Sequence, residues 1–186
     1  LAINQVYLNL DTVLIRLNQG TAAVGYYQAA YKILFAFQAI NLITTATFPR
    51  IASLYHQGQF KQLKRLAKIV YLGSSALLIP IILVIYVFSP MIITKIYGVT
   101  YLPSAPVLPI LLTAGLIMFY RTFLSNFFLA SGRQNIIFYT SLFALIINVG
   151  MNYLLIPRFG FIQGGISLVA SELVILMVLL ANLKSS

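Results

Sequence analysis

The sequence has no cysteine, no tryptophan, one histidine and only two acidic residues among 186 positions. Each shortage excludes a class of chemistry. Without cysteine there is no disulfide framework and no thiolate metal site. A lone histidine then excludes the usual zinc ligand sets. The two acids, Asp11 and Glu172, lie near opposite ends of the chain, so no acidic cluster is available for magnesium. No G-x-x-x-x-G-K-[ST] loop is present to cradle a nucleotide. No serine has a histidine or acid near it in the pattern of a catalytic triad. Enzymatic activity is not expected, and no cofactor is implied.

Charge is scarce as well. Charged residues make up 8% of the chain and hydrophobic residues 61%, whereas a water-soluble domain carries about 25% charged residues. So little charge does not coat a surface in water. The charge-free runs 33–49, 69–94, 96–120 and 134–157 approach or exceed the roughly 20 apolar residues that cross a bilayer core of about 30 Å. The fold class that follows is an all-α integral membrane protein. Six spans are expected, at about 1–18, 24–48, 69–89, 107–130, 135–156 and 164–183. Each should be helical, because lipid offers no partner for an open backbone group. The chain begins at Leu1, inside an apolar segment, and is expected to be the C-terminal half of a longer protein.

The net charge of +10 does not point to nucleic acid, because the basic residues cluster in the connections between spans. Arg50, Lys61, Lys64, Arg65, Lys68, Arg133 and Lys184 fall on one side. Arg16, Lys95 and Arg158 fall on the other, and Lys32 and Arg121 lie within spans. The richer side should be cytoplasmic, with both ends of the segment there. Within 59–68, Phe60, Leu63 and Ala67 share one helical face with Val70, opposite Lys61, Lys64, Arg65 and Lys68. That pattern suits a helix lying on an anionic leaflet. Pro80 should kink the third span and Ser89-Pro90 should end it, leaving Met91–Tyr97 as a short interfacial helix.

Polar residues inside the spans are the candidate functional groups. Asn4, Tyr7, Asp11 and Asn18 form a stripe on the first span. The short turn 19–23 should make the first two spans antiparallel neighbours. Gly25, Gln28, Lys32, Ala36, Ala39 and Ala46 share a face of the second span, which reads either as a close-packing surface or as a cavity wall. A mid-span lysine costs about 2.5–3.5 kcal/mol on insertion scales, so Lys32 needs water, a partner, a ligand or a route to the interface. Arg121, with Ser125 one turn on, must likewise meet an anion, water or carbonyls, as a cavity lining or as a buried pair. Asn148 and Asn152 suit interhelical hydrogen bonds or ligand contact. Glu172, beside Ser167 and Ser171, is either a structural group or one that titrates during transport. If Lys32 and Arg121 share a cavity, that cavity favours an anion such as a lipid pyrophosphate.

Several segments, in order, carry a resemblance: Asp11 followed by Val24-Gly25-Tyr26-Tyr27-Gln28-Ala29-Ala30-Tyr31-Lys32, then Phe48-Pro49-Arg50 before the basic loop. Tyr97-Gly98-Val99-Thr100-Tyr101 and Leu129-Ala130-Ser131-Gly132-Arg133 come next. Asn148 through Pro157, with Gly160 and Gly164, completes the set. Over its whole length the chain resembles the C-terminal half of bacterial polysaccharide and O-antigen flippases, in the multidrug/oligosaccharidyl-lipid/polysaccharide exporter superfamily. The resemblance implies one six-helix lobe of a two-lobe transporter of 12–14 helices, rocking about a central cavity in a bacterial or archaeal plasma membrane. The implied partners are an undecaprenyl-pyrophosphate-linked oligosaccharide, membrane lipids and the N-terminal lobe. It makes Lys32 and Arg121 candidates for the pyrophosphate, with Gln28, Asn148 and Asn152 as further substrate-binding candidates. Asp11 and Glu172 are the candidates for ion coupling. A multidrug antiporter of the same superfamily and a non-transporting scaffold for glycan assembly are the alternatives.

Overall fold

A computed structural model describes the backbone of Ala2–Lys184 and the side chains of residues 11–183. The placement expected for the side chains of Asn4, Tyr7 and Lys184 lies outside the described residues. Among the described residues every regular element is helical. The elements are α1 (Ala2–Phe37), a 3-10 link (Gln38–Ile40), α2 (Asn41–His56), α3 (Phe60–Tyr97), a 3-10 segment (Val99–Ser104), α4 (Val107–Ala130), α5 (Gln134–Phe159) and α6 (Ile162–Lys184). Five helical stretches are long and apolar enough to cross a membrane.

The first of these stretches folds back on itself. Gly20 interrupts α1 with φ 81° and ψ −175°, a backbone state open to glycine and costly for any residue with a Cβ. Tyr27 then donates to Asp11 across 3.1 Å, and Gln28 to Thr12 across 2.7 Å. Residues 16 apart in an unbroken helix would stand about 24 Å apart. The two arms of α1 are therefore an antiparallel hairpin, and the turn is tighter than 19–23 because helix resumes directly after Gly20.

α4 is the axis of the bundle. Leu108, Leu111, Leu112, Ala114 and Phe119 on it are fully buried. α6, α2, α1 and α3 pack around it, while α5 covers α6 and α1. Gly115 lets α1 approach closely, since a Cβ there would stand 2.7 Å from Leu34; small residues serve the same purpose at helix crossings in lipid generally. The outer surfaces are apolar. On α3 alone, Ile69, Leu72, Leu77, Leu83, Val84 and Val87 are exposed, as suits side chains that face lipid rather than water.

Two segments differ from their expected form. The span expected over 24–48 is two helices, joined where the 3-10 link Gln38–Ile40 tightens the ladder and Asn41 donates its side-chain amide to Gln38. The basic stretch 60–68 is not a separate helix on the membrane surface. Nor does Ser89-Pro90 end the third span, and Met91–Tyr97 is not an independent interfacial helix. All three belong to α3, which runs 38 residues without interruption through Pro80 and Pro90, or about 57 Å. The physical reason is that a proline removes one helical hydrogen bond, but in an apolar setting the remaining backbone groups have no better partner than the helix.

The two ends of the bundle differ. At one end, the Gln19 side chain accepts a hydrogen bond from the Phe161 backbone at 2.9 Å, tying the α1 turn to the α5–α6 turn, and Tyr26 packs on Tyr101 and Phe161. At the other end, Ile51, Leu54, Leu63, Phe123 and Ala130 close the core, with Tyr55 edge-on to Phe127. Arg50, Lys61, Lys64, Arg65 and Lys68 are exposed around this second end.

Candidate functional site

The first polar centre is built on Asp11, which is 1% exposed. One carboxylate oxygen accepts from Tyr27 and the other from the side-chain amide of Asn152. Asn152 also donates to Asn148 at 3.1 Å, and Asn148 to Ser171 at 3.3 Å. Ser171 donates to the Ser167 carbonyl, and Gln163 reaches the Ser167 hydroxyl at 3.4 Å. A continuous chain of neutral donors thus links α1, α5 and α6 around one carboxylate. The repeat of four places Asn148 and Asn152, and Ser167 and Ser171, on single faces of their helices. Asn152 Oδ1 is buried and accepts no hydrogen bond.

The second centre lies between α4 and α6. Arg121 Nε stands 2.6 Å from Glu172 Oε2, with the two side chains 13% and 2% exposed. Ser171 and Glu172 are adjacent but differ by about 100° around the helix, so Ser171 serves α5 and Glu172 serves α4. Ser125, one turn beyond Arg121, is also buried. A charge pair out of water is held by its mutual attraction, and either member alone would be strongly unfavourable.

Lys32 belongs to neither centre. It is exposed on α1 one turn after Gln28, which is half-buried and bonded to Thr12. Ala36, Ala39 and Ala46, expected on the same face, are exposed too. Beside them the 3-10 link opens a groove of about 430 Å³ lined by Phe35, Ala36, Gln38, Ala39, Asn41 and Leu42. Among the described residues no ion pair or hydrogen bond engages Lys32, and Arg121 turns away from it toward α6. The structure therefore gathers Asp11, Asn148 and Asn152, pairs Arg121 with Glu172, and leaves Lys32 on an outer face with Gln28 nearby.

Two members of the first centre escape a reading of the sequence. Tyr27 sits beside Gln28 in a largely apolar run, and only a hairpin centred near Gly20 sets it opposite Asp11. Gln163 reads as part of a turn but is buried at the start of α6.

Comparison with known proteins agrees with this all-helical architecture. A family model described as MatE matches residues 1–154. The chain belongs to the MatE family. MatE proteins are membrane transporters rather than enzymes, and this MatE chain is accordingly a multi-pass membrane protein. The match takes in Asp11, Lys32, Arg121, Asn148 and Asn152 and stops before Glu172. The chain is also similar to the uncharacterized membrane protein MJ1068 of Methanocaldococcus jannaschii, at 26% identity over 167 residues. Those residues are 86% of this chain and 32% of the relative, so the alignment spans about a third of that protein's length. No solved structure matches the chain significantly.

Proposed function

We propose that this MatE chain is one lobe of an exporter that carries a lipid-linked oligosaccharide from the cytoplasmic to the outer leaflet by alternating access, with Lys32 receiving the anionic pyrophosphate. One observation carries the reading: among the described residues, Lys32 is the intramembrane cation left exposed and unpaired, on a face of small residues beside an open groove. A cation in a low-dielectric setting attracts an anion strongly. Lys32, Ala36, Ala39 and Ala46 are exposed on that face, and the remaining lobe of the transporter would complete the cavity against them. Arg121 lies apart from this face, its charge answered by Glu172.

The disposition of the acids favours an anionic cargo over an organic cation. Asp11 and Glu172 are both buried and both already engaged, so neither is free on the outer face to meet a cationic drug. Asp11 is the better placed of the two for ion coupling. Among the described residues it has no cationic partner, and the orphaned Asn152 Oδ1 offers a second oxygen in the same cluster. The basic end of the bundle faces the cytoplasm in this reading.

The test is lipid-linked oligosaccharide delivery in cells that depend on the full-length protein, at matched expression. Lys32→Ala should hold the glycan on the cytoplasmic side, and Lys32→Arg should restore most delivery. Normal delivery by Lys32→Ala removes Lys32 from the site and overturns the reading. Cysteines placed at the exposed positions Gln57 and Thr100 should label from opposite sides of the membrane; labelling from one side overturns the orientation.

A further inference from the structure

A second groove lies at the basic end of the bundle, between α2, α3, α4 and α6. It encloses about 180 Å³, and its walls are almost wholly apolar: Ile51, Leu63, Ala67, Phe123, Phe127 and Leu180 contribute to it. Tyr71 adds its ring, while its hydroxyl is taken by the Tyr120 carbonyl at 3.2 Å. An apolar cavity of about 150 Å³ takes up a hydrocarbon in preference to water. Among the described residues, the one charged residue lining the groove is Lys64.

Lys64 has no acid of its own chain to meet. The chain holds two acids, and both are buried elsewhere, Asp11 among neutral donors and Glu172 against Arg121. Lys61 and Lys68 stand three residues before and four after Lys64, on the same exposed side of α3. The apolar charge-free run of α3 begins at Ile69. Lys64 is thus about 7 Å along the helix axis from that run, at headgroup height, while Ala67 and Tyr71 reach down from it. An apolar slot that starts below a row of unanswered cations matches the two halves of an anionic phospholipid.

We propose that this groove binds a single anionic phospholipid, one acyl chain lying between α3, α4 and α6 and its phosphate on Lys64, with Lys61 and Lys68 alongside. The site is separate from the Lys32 face and does not depend on what the exporter carries. A bound lipid here would fill the space between α3 and the core and hold the basic end of α3 against α4.

The test uses the purified full-length protein, stripped of lipid in detergent and titrated with phosphatidylglycerol or phosphatidylcholine of identical acyl chains, bound lipid being counted by native mass spectrometry. The parent should retain one phosphatidylglycerol with about fivefold preference, as expected for one lysine at a headgroup. Lys64→Ala should bind the two lipids equally, and Lys64→Arg should keep the preference. Ala67→Leu, which fills the groove and leaves the charge in place, should weaken both lipids. Equal binding of the two lipids by the parent overturns the proposal, and so does a preference that survives Lys64→Ala. An Ala67→Leu variant that binds as the parent does would show that the acyl chain lies elsewhere. Failure of the parent to retain either lipid overturns the proposal as well.

Discussion

The interior of this lobe and the outer face of α1 handle charge in opposite ways. Inside, every described charge has an answer built from the fold: Arg121 meets Glu172, and Asp11 meets Tyr27 and Asn152. On the outer face no described residue partners Lys32, although it too lies within an apolar segment. The lesson is that an intramembrane cation is not by itself a marker of a binding site. Arg121 is paired with Glu172 between α4 and α6, and what distinguishes Lys32 is that no described residue pairs with it.

The comparison breaks most sharply at the buried pair. Arg121→Ala should cost about 3–5 kcal/mol, because Glu172 is left buried without its partner, and the variant should unfold well below the parent in a thermal melt. Replacing both members by apolar residues, Arg121→Met with Glu172→Leu, should recover most of that loss. A double variant as unstable as the single one would mean that the pair does more than neutralise itself. A smaller effect is expected at Asp11. Asp11→Ala removes the acceptor shared by Tyr27 and Asn152, for about 1–3 kcal/mol per lost bond at most. Tyr27→Phe should cost only about 1 kcal/mol, again read from melting. The smallest structural effect should come from Lys32→Ala, below about 0.5 kcal/mol, with transport lost all the same. A large stability loss there would erase the distinction between the two cations. Last, a cysteine at Ala36 should react with a water-soluble maleimide in the full-length protein, and one at Ser125 should not. Equal reactivity would show that the α1 face is closed to water.

The fold class was readable from composition and run length because lipid leaves so few alternatives. The turn after the first span was readable too, since Gly20 is the natural place for a reversal. The continuity of α3 was not, because Pro80 and Ser89-Pro90 carry breaker signals whose force depends on water being available to the backbone. The candidate residues were legible as types, but their partners were not. Asp11 and Asn152 are 141 residues apart, and nothing local to either predicts that α5 lies beside α1. Nor does any local feature pair Arg121 with Glu172, because the match depends on which faces of α4 and α6 the packing turns inward. The exposure of Lys32 likewise follows from which helices are absent around α1, a property of the assembled bundle.

α3 is also longer than the layer it crosses. Its charge-free stretch, 69–94, is 26 residues, or about 39 Å against a hydrocarbon thickness of about 30 Å. The excess is accommodated by leaning. A thinner host membrane makes the helix lean further and a thicker one draws it upright, and each change swings the Lys61–Lys68 end sideways across the headgroups. The thickness of the surrounding bilayer therefore sets the position of the basic end, and the same chain will hold that end differently in membranes of different depth.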